Sequence, residues 1–170
     1  VAAEHVNDIN PMCIVNRHPM FYMPDNADSI DLSKFDYVAD CIDTVTAKLE
    51  LIKRCHTLNV PIICSMGAAN KLDPTAFHVA DITKTTMDPL AKVIRKKLRD
   101  LHIRHLKVVF SEEKPLKPMM EDVLLEDSKS NDANNKASSP TPHRMVPASN
   151  AFVPASAGLV LGGEIIKNLL

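Results

Sequence analysis

A strand–helix–strand pattern in the first half of the chain most constrains its fold. Residues 36–42 and 60–66 are short apolar runs, and residues 44–59 between them repeat apolar side chains at helical spacing. Two strands joined by such a helix form a right-handed βαβ unit, whose parallel strands are covered by helices. We therefore predict an α/β fold with a mostly parallel sheet and flanking helices.

The other elements follow from the same periodicities. Further strands are predicted at residues 13–15, 77–82 and 107–111, and further helices at residues 1–10, 89–103 and 155–170. Asp88 can cap the helix that starts at Pro89, because proline suits the first helical position.

Composition divides the chain into three parts. Residues 112–150 are rich in Pro, Ser, Asn, Asp and Lys, which predicts a flexible crossover-type loop. Residues 1–111 then form one α/β domain, and residues 151–170 form a C-terminal helix that packs on it. The chain has 170 residues, 45% of them hydrophobic, which is enough for one globular core.

Charge and cysteine usage exclude several classes of protein. The formal net charge is -1, so no overall field favours a nucleic acid or an anionic membrane. No apolar run approaches the roughly 18 residues of a membrane span, and we expect a cytoplasmic protein with no membrane partner. The cysteines form no Cys-x-x-Cys pair, which favours reduced core thiols and no structural zinc. They are Cys13, Cys41, Cys55 and Cys64.

The best candidate site follows the first strand of the βαβ unit, at Cys41-Ile42-Asp43-Thr44. Ligands of open parallel sheets bind beyond the carboxyl ends of the strands, so Asp43 could hold a metal ion, a ribose or a metal-bound phosphate. An aspartate in front of a helix also commonly caps it, and the two roles are compatible. Asp40 is either a polar residue near the edge of the sheet or a second member of the site.

Three segments resemble a known family. Residues 40–45 with Lys48, residues 65–75 and residues 81–85 are similar to the tRNA threonylcarbamoyladenosine dehydratases. These are related to the ThiF, MoeB and HesA proteins, the bacterial relatives of ubiquitin-activating enzymes. The resemblance covers most of the chain, including Asn10-Pro11 and residues 152–158, but not residues 114–149.

The resemblance implies a Rossmann-like domain that uses ATP and Mg²⁺ to activate a carboxylate as an acyl-adenylate. The substrate is then threonylcarbamoyladenosine in tRNA, whose carbamoyl group closes a ring and releases AMP. Asp43 matches the family aspartate that manages Mg²⁺ and the phosphates, and is the expected catalytic residue. Gly67 and Lys48 match a family glycine and lysine at the nucleotide site, to which Cys41, Ile42 and Thr44 also belong. Ala69 stands where a glycine is expected.

Two family features have no counterpart in this sequence. The Gly-x-Gly-Gly-x-Gly-Ser phosphate loop is missing, consistent with only 4 glycines in the chain, and we expect it upstream of Val1. The chain then corresponds to the C-terminal portion of the enzyme, and alone it should be inactive and bind ATP weakly or not at all. The paired zinc cysteines of the molybdopterin and thiamine branches are also missing, which favours the tRNA dehydratase branch.

Partners and alternative functions remain open. The basic run that contains Arg95, Lys96 and Arg99 could contact the tRNA backbone, or it could be a solvated helix face. One alternative is an adenylating enzyme for a ubiquitin-like sulfur carrier, with a sulfur-relay protein as partner. Another is a non-catalytic half that forms a homodimer, as is typical of the family, through the small-residue C-terminal helix.

Overall fold

A computed structural model describes residues 1–116 and 147–170. The helices are α1 (Ala2–Ile9), α2 (Val45–Leu58), α3 (Pro89–Asp100) and α4 (Val153–Leu169). The strands are β1 (Val38–Asp40), β2 (Ile62–Ser65), β3 (Phe77–Asp81) and β4 (Lys107–Ser111). Short 3-10 turns lie at Ala27–Ser29, Leu32–Lys34, Pro74–Ala76 and Ile82–Lys84.

The four strands form one sheet in the order β1-β2-β4-β3. β1 and β2 pair in parallel, with Val38 opposite Ile62, which confirms the predicted βαβ unit. β4 also runs parallel to β2, whereas β3 runs antiparallel to β4. The carboxyl ends of β1, β2 and β4 therefore share one edge of the sheet, here called the carboxyl edge.

The core lies on both faces of this sheet, because successive side chains of a strand point to opposite sides. On one face Cys64 and Val108 pack with Ile94 of α3 in a cluster that also includes α2 residues. On the other face Ile63 and Val109 pack against α4. The predicted α/β class with flanking helices is thus confirmed.

The prediction of a strand at residues 13–15 is wrong. These residues belong to no sheet, because no strand among the described residues lies beside them to complete a ladder. The predicted helix before them exists as α1, but it buries none of its side chains.

The core-thiol prediction is right for Cys55 and Cys64, which are buried, and wrong for Cys13 and Cys41, which are exposed. Cys13 lies in the unpaired segment, and Cys41 comes one residue after β1 ends. The predicted loop at residues 112–150 lies largely outside the described residues. In the described part of the chain, no helix is both long and apolar enough to cross a membrane.

Candidate functional site

A cleft of about 530 Å³ opens at the carboxyl edge, beyond the ends of β1 and β2. This is where open α/β sheets bind their ligands, and the volume is that of a small-molecule site. The cleft is lined by Cys41, Ile42, Asp43, Ser65, Met66, Gly67, Ala68, Ala69, Leu90, Pro147, Ala148, Ser149, Pro154, Ala157 and Gly158. Of the residues expected from the sequence, Cys41, Ile42, Asp43 and Gly67 are therefore together at the cleft, and Thr44 and Lys48 do not line it.

Asp43 presents an exposed carboxylate at the cleft. It does not cap α2: the N-cap residue is Thr44, and no side chain accepts a capping hydrogen bond there. The prediction that Asp43 caps the helix after it is therefore wrong. Within residues 1–116 and 147–170, Asp43 is the only carboxylate that lines the cleft.

A buried ion pair lies beneath this carboxylate. Lys48 Nζ is 2.7 Å from Asp40 Oδ2, and both side chains are fully buried. The same amine donates to the Ser65 carbonyl at 3.0 Å, and Asp40 Oδ1 accepts from the Ile42 amide at 3.0 Å. The pair thus joins the end of β1, the end of β2 and the turn that leads to Asp43.

This arrangement follows from the helix that starts after the turn. Lys48 lies one turn into α2, on the side that faces the sheet, where Ala47 and Leu51 are also buried. A lysine there needs a buried anion, because an unpaired charge in a core is costly. Asp40, at the last position of β1, supplies it. Lys48 is therefore not a solvated charge of the helix, and its amine acts on the turn through Asp40.

The two thiols nearest the site are protonated at neutral pH. Burial, and next the negative charge of Asp40, raise the pKa of Cys41. The same two causes raise the pKa of Cys64 well above its ordinary value. A thiol with a raised pKa is a weak nucleophile, so Cys41 is suited to contact a ligand and not to attack one.

Gly67 lies two residues after β2, next to Asp88, the residue that precedes α3. A Cβ atom at this position would lie 3.5 Å from Asp88 Oδ2, which is an ordinary contact. The packing of the chain itself therefore does not require glycine here. Gly67 also lines the cleft, so a ligand bound there can contact its backbone.

A second buried ion pair was not predicted. Lys71 Nζ lies 3.3 Å from Asp88 Oδ2 and 3.3 Å from the Ser111 carbonyl, and both side chains of the pair are buried. The amine also lies 5.7 Å from the centre of the Phe77 ring. Asp88 Oδ1 accepts from the Ala91 amide at 2.9 Å, which confirms its predicted capping role. The pair joins the loop after β2, the start of α3 and the end of β4.

Asn70 connects this loop to the far wall of the cleft. Its backbone is left-handed, with φ of 58°, a conformation that asparagine tolerates. The Asn70 amide donates to the Ala148 carbonyl at 2.7 Å, and Asn70 Oδ1 accepts from the Ala148 amide at 2.9 Å. Asn150 Nδ2 donates to the Lys71 carbonyl at 3.3 Å, and its Oδ1 accepts from the first amide of α4, that of Val153, at 2.8 Å. Residues 147–150 are thereby held against the loop after β2.

Metal binding would depend on groups brought by a ligand. Among the residues that the structure describes, no group of three His, Cys, Asp or Glu side chains is arranged to hold a metal ion. Of the described residues that line the cleft, only Asp43 can offer a carboxylate oxygen to a cation.

The basic residues expected to contact nucleic acid lie on α3 and do not line the cleft. Lys96 and Arg99 are exposed, and Arg95 is partly buried. Arg95 Nη1 donates to the Ile82 carbonyl at 3.3 Å and to the carbonyl and hydroxyl of Thr85, each at 2.8 Å. Arg95 therefore fastens α3 to the turn after β3.

Comparison with known proteins identifies the family to which this chain belongs. The ThiF family model matches residues 1–170. The chain belongs to the ThiF family. The sequence resemblance to these proteins is thereby confirmed.

Two relatives within the ThiF family have the same enzyme name. The chain is 43% identical over 166 residues to the tRNA threonylcarbamoyladenosine dehydratase of Bacillus subtilis, covering 97% of this chain and 63% of the relative. It is 38% identical over 99 residues to that of Escherichia coli, covering 58% of this chain and 37% of the relative. The chain therefore spans less than two thirds of each relative.

Solved structures of the Escherichia coli dehydratase have the same fold. The complex with AMP aligns with a TM-score of 0.76 and 28% identity over 98% of this chain and 61% of that chain. The complex with ATP aligns with a TM-score of 0.74 over 98% of this chain and 60% of that chain. Both confirm the Rossmann-like fold expected from the resemblance.

Proposed function

We propose that this chain forms the Asp43 side of the active site of a cytoplasmic, ATP-dependent enzyme that dehydrates and cyclises threonylcarbamoyladenosine in tRNA. One observation carries the proposal: the exposed Asp43 carboxylate lies in a cleft at the carboxyl edge of a ThiF-family sheet. The 43% identity to a dehydratase of this name supports the choice of substrate. Because the chain spans part of such enzymes, the activity belongs to the protein that contains it.

ATP suits the cleft as a substrate. The volume of about 530 Å³ lies within the range of nucleotide-sized sites, and the lining near Gly67, Ala68, Ala69 and Gly158 is made of small side chains. Small residues let the adenosine approach the backbone closely. We assign adenosine contacts to Cys41, Ile42 and Gly67, which line the cleft, and not to Thr44 or Lys48, which do not.

The charge of the cleft favours a divalent cation with the nucleotide. Asp43 is the one charged side chain among the described residues that line it. A carboxylate beside a polyphosphate is repulsive unless a cation lies between them. Mg²⁺ is commonly held by one or two carboxylates together with phosphate oxygens and water, which fits a single Asp43. When bound, Mg²⁺ would supply neutralisation of the charge that develops as pyrophosphate leaves.

The residues of this chain contribute to the reaction by holding charge in a fixed position at the cleft. Asp43 holds negative charge at one point of the cleft, and the Asp40–Lys48 pair fixes the turn that carries it. Charges held in a fixed position stabilise a transition state more than mobile charges, because they need not reorganise during the reaction. In the reaction that we propose, the substrate carboxylate attacks the α-phosphate of ATP and pyrophosphate leaves. The carbamoyl group then attacks the activated carbonyl, and AMP leaves as the ring closes.

Phosphate binding needs a further part of the site. The chain has 4 glycines and no Gly-x-Gly-Gly sequence, so its loops do not offer the run of backbone amides that cradles phosphates. We therefore expect weak or no ATP binding by these 170 residues in isolation.

We also propose a homodimer that forms through the apolar side chains that α4 leaves exposed, such as Leu159 and Ile166. Sedimentation of the intact protein tests it.

ATP–pyrophosphate exchange by the intact protein tests the proposed function. We expect exchange that depends on tRNA bearing threonylcarbamoyladenosine, with AMP formed in step with the cyclised nucleoside. Exchange stimulated by a ubiquitin-like sulfur carrier and unaffected by tRNA would contradict it. That result would assign the site to the alternative adenylation reaction, with a sulfur-relay protein as partner.

A further inference from the structure

Three cations lie in a row on the exposed side of α3: Lys92, Lys96 and Arg99, here called the basic stripe. Their spacing of four and three residues places them on one face of the helix, and Lys92 and Arg99 are about 10 Å apart along its axis. Among the ion pairs of the described residues, none involves a member of the stripe. Asp100 is the one acidic residue of α3. The stripe therefore presents positive charge to solvent.

The two ends of α3 lie at different sites. At its start, Asp88 contacts the region of Gly67, and Leu90 lines the cleft. At its end, Arg99 lines a second cavity of about 440 Å³ that lies beside the turn after β3, at the edge of the sheet opposite the cleft. Arg104, His102 and His105 also line this cavity. The basic stripe runs from one site to the other.

The stripe is held in a fixed position. Arg95 fastens α3 to the Ile82 and Thr85 carbonyls, and Asp88 caps its first turn. Ile94 and Leu98 are buried on the opposite side of the helix. Cations on a rigid helix lose less conformational freedom on binding than cations on a loop, which favours an extended anionic partner.

We propose that the basic stripe, with Arg104 at its far end, binds the sugar–phosphate backbone of a folded RNA and directs it towards the cleft. The inference rests on the proposed function, which requires a tRNA at that cleft. Regularly spaced cations along about 10 Å of helix match a chain of phosphates. The stripe has no aromatic side chain for base stacking, so it reads the backbone and positions the RNA without selecting its sequence.

The basic stripe also explains how a nearly neutral protein engages RNA. The net charge is -1, whereas α3 carries five basic residues and one acidic residue. Counterion release depends on the local contacts with phosphates, so a short basic helix is sufficient. Arg99 and Arg104 both line the second cavity, so the basic surface includes a concave region at this end.

Fluorescence anisotropy with labelled tRNA tests the inference in the intact protein. The variant K92A/K96A/R99A removes the stripe. The matched control R17A/K34A/K53A removes the same charge from exposed positions outside α3 and α4. We expect the stripe variant to bind tRNA at least tenfold more weakly. Its slope of log affinity against log salt should be shallower by about 2 to 3, the value for three lost phosphate contacts. Equal losses in the two variants, or an unchanged slope, would overturn the inference.

Dehydration kinetics separate this inference from the proposed function. We expect the stripe variant to show a raised KM for tRNA and a nearly unchanged kcat at saturating tRNA. Dehydration by the wild-type protein, with no change of KM in the stripe variant, would overturn the RNA-binding role of the stripe and leave the proposed function unaffected. Stripe-dependent tRNA binding without ATP-dependent dehydration would overturn the proposed function and leave the RNA-binding role of the stripe unaffected. Loss of affinity for an acidic carrier protein, with tRNA binding unchanged, would assign the stripe to a protein partner and overturn the RNA proposal.

Discussion

Lys48 Nζ and Asp40 Oδ2 lie 2.7 Å apart, and neither side chain is exposed to solvent. The pair stands directly beneath the turn that carries Asp43, because Asp40 also accepts the Ile42 amide. A buried charge that loses its partner is strongly destabilising, whereas a buried pair replaced as a unit can be neutral. This pair therefore couples the stability of the fold to the geometry of the cleft.

Substitution of Lys48 by Met should lower the free energy of unfolding by about 3 to 5 kcal/mol, because Asp40 is left buried and uncompensated. The double variant D40N/K48M should recover part of that loss. Urea unfolding measures both. Lys53, whose side chain is half exposed, pairs with Glu50 on the same helix; because Arg54 also pairs with Glu50, K53M should cost less than about 1 kcal/mol. Equal losses for K48M and K53M would contradict the account.

Substitution of Lys71 by Met should loosen the wall of the cleft more than the rest of the fold. The amine holds Asp88 and the Ser111 carbonyl, and the adjacent Asn70 holds Ala148. Hydrogen exchange should become faster at the Asn70 amide, while the amides in the middle of α2 lose protection only in proportion to the global free energy. Uniform loss of protection would show that the pair does not act locally.

Thiol labelling should separate the four cysteines into two classes. Cys13 and Cys41 are exposed, and Cys55 and Cys64 are buried. Ellman's reagent at pH 7 should therefore modify two thiols in the native protein and four after denaturation. Partial burial of the Cys41 thiol, and next the charge of Asp40, raise its pKa, so the C13S variant should retain one native thiol that is accessible but reacts slowly. Rapid labelling of Cys41 would contradict the structure of the turn after β1.

Acid should remove the contribution of Glu50 to stability. Hydrogen bonds from Lys53 and then Arg54 lower the pKa of Glu50 from its ordinary value near 4.5. The folded state thus binds the proton more weakly than the unfolded state, so the contribution is complete above pH 4.5 and is lost as pH falls through the lower folded pKa. Thermal midpoints between pH 7 and pH 3 should fall less steeply for E50Q than for wild type. Parallel curves would contradict the assignment.

The sequence was informative where structure depends on nearby residues. The βαβ unit was predictable because apolar periodicity specifies β1, α2 and β2 locally, and parallel strands must end at a common edge. Because Asp43 comes soon after β1, the same pattern predicts its position at this edge, where the cleft lies. The Asp88 cap was predictable for the same reason, since a capping residue acts within its own helix.

The features that the sequence does not predict depend on contacts between distant segments. Asn70 and Ala148 are 78 positions apart, and no local pattern indicates that they pair. Lys48 and Lys71 look like surface residues in the sequence, and each is buried only because the fold brings an aspartate to its amine. The segment at residues 13–15 shows the converse, since strand composition does not make a strand without a partner.

The most direct measurement of the central claim is single-turnover, ATP-dependent dehydration of threonylcarbamoyladenosine tRNA by the intact protein carrying D43N. In this account Asp43 acts on the transition state by holding a cation, and removal of one group that stabilises developing charge typically costs about 100-fold or more, so we expect a decrease of that size in the rate. The thermal midpoint should be unchanged, because Asp43 is exposed and does not cap α2. D36N, at an exposed aspartate before β1, is the matched control and should keep the wild-type rate. Dehydration by D43N at the wild-type rate would contradict the account.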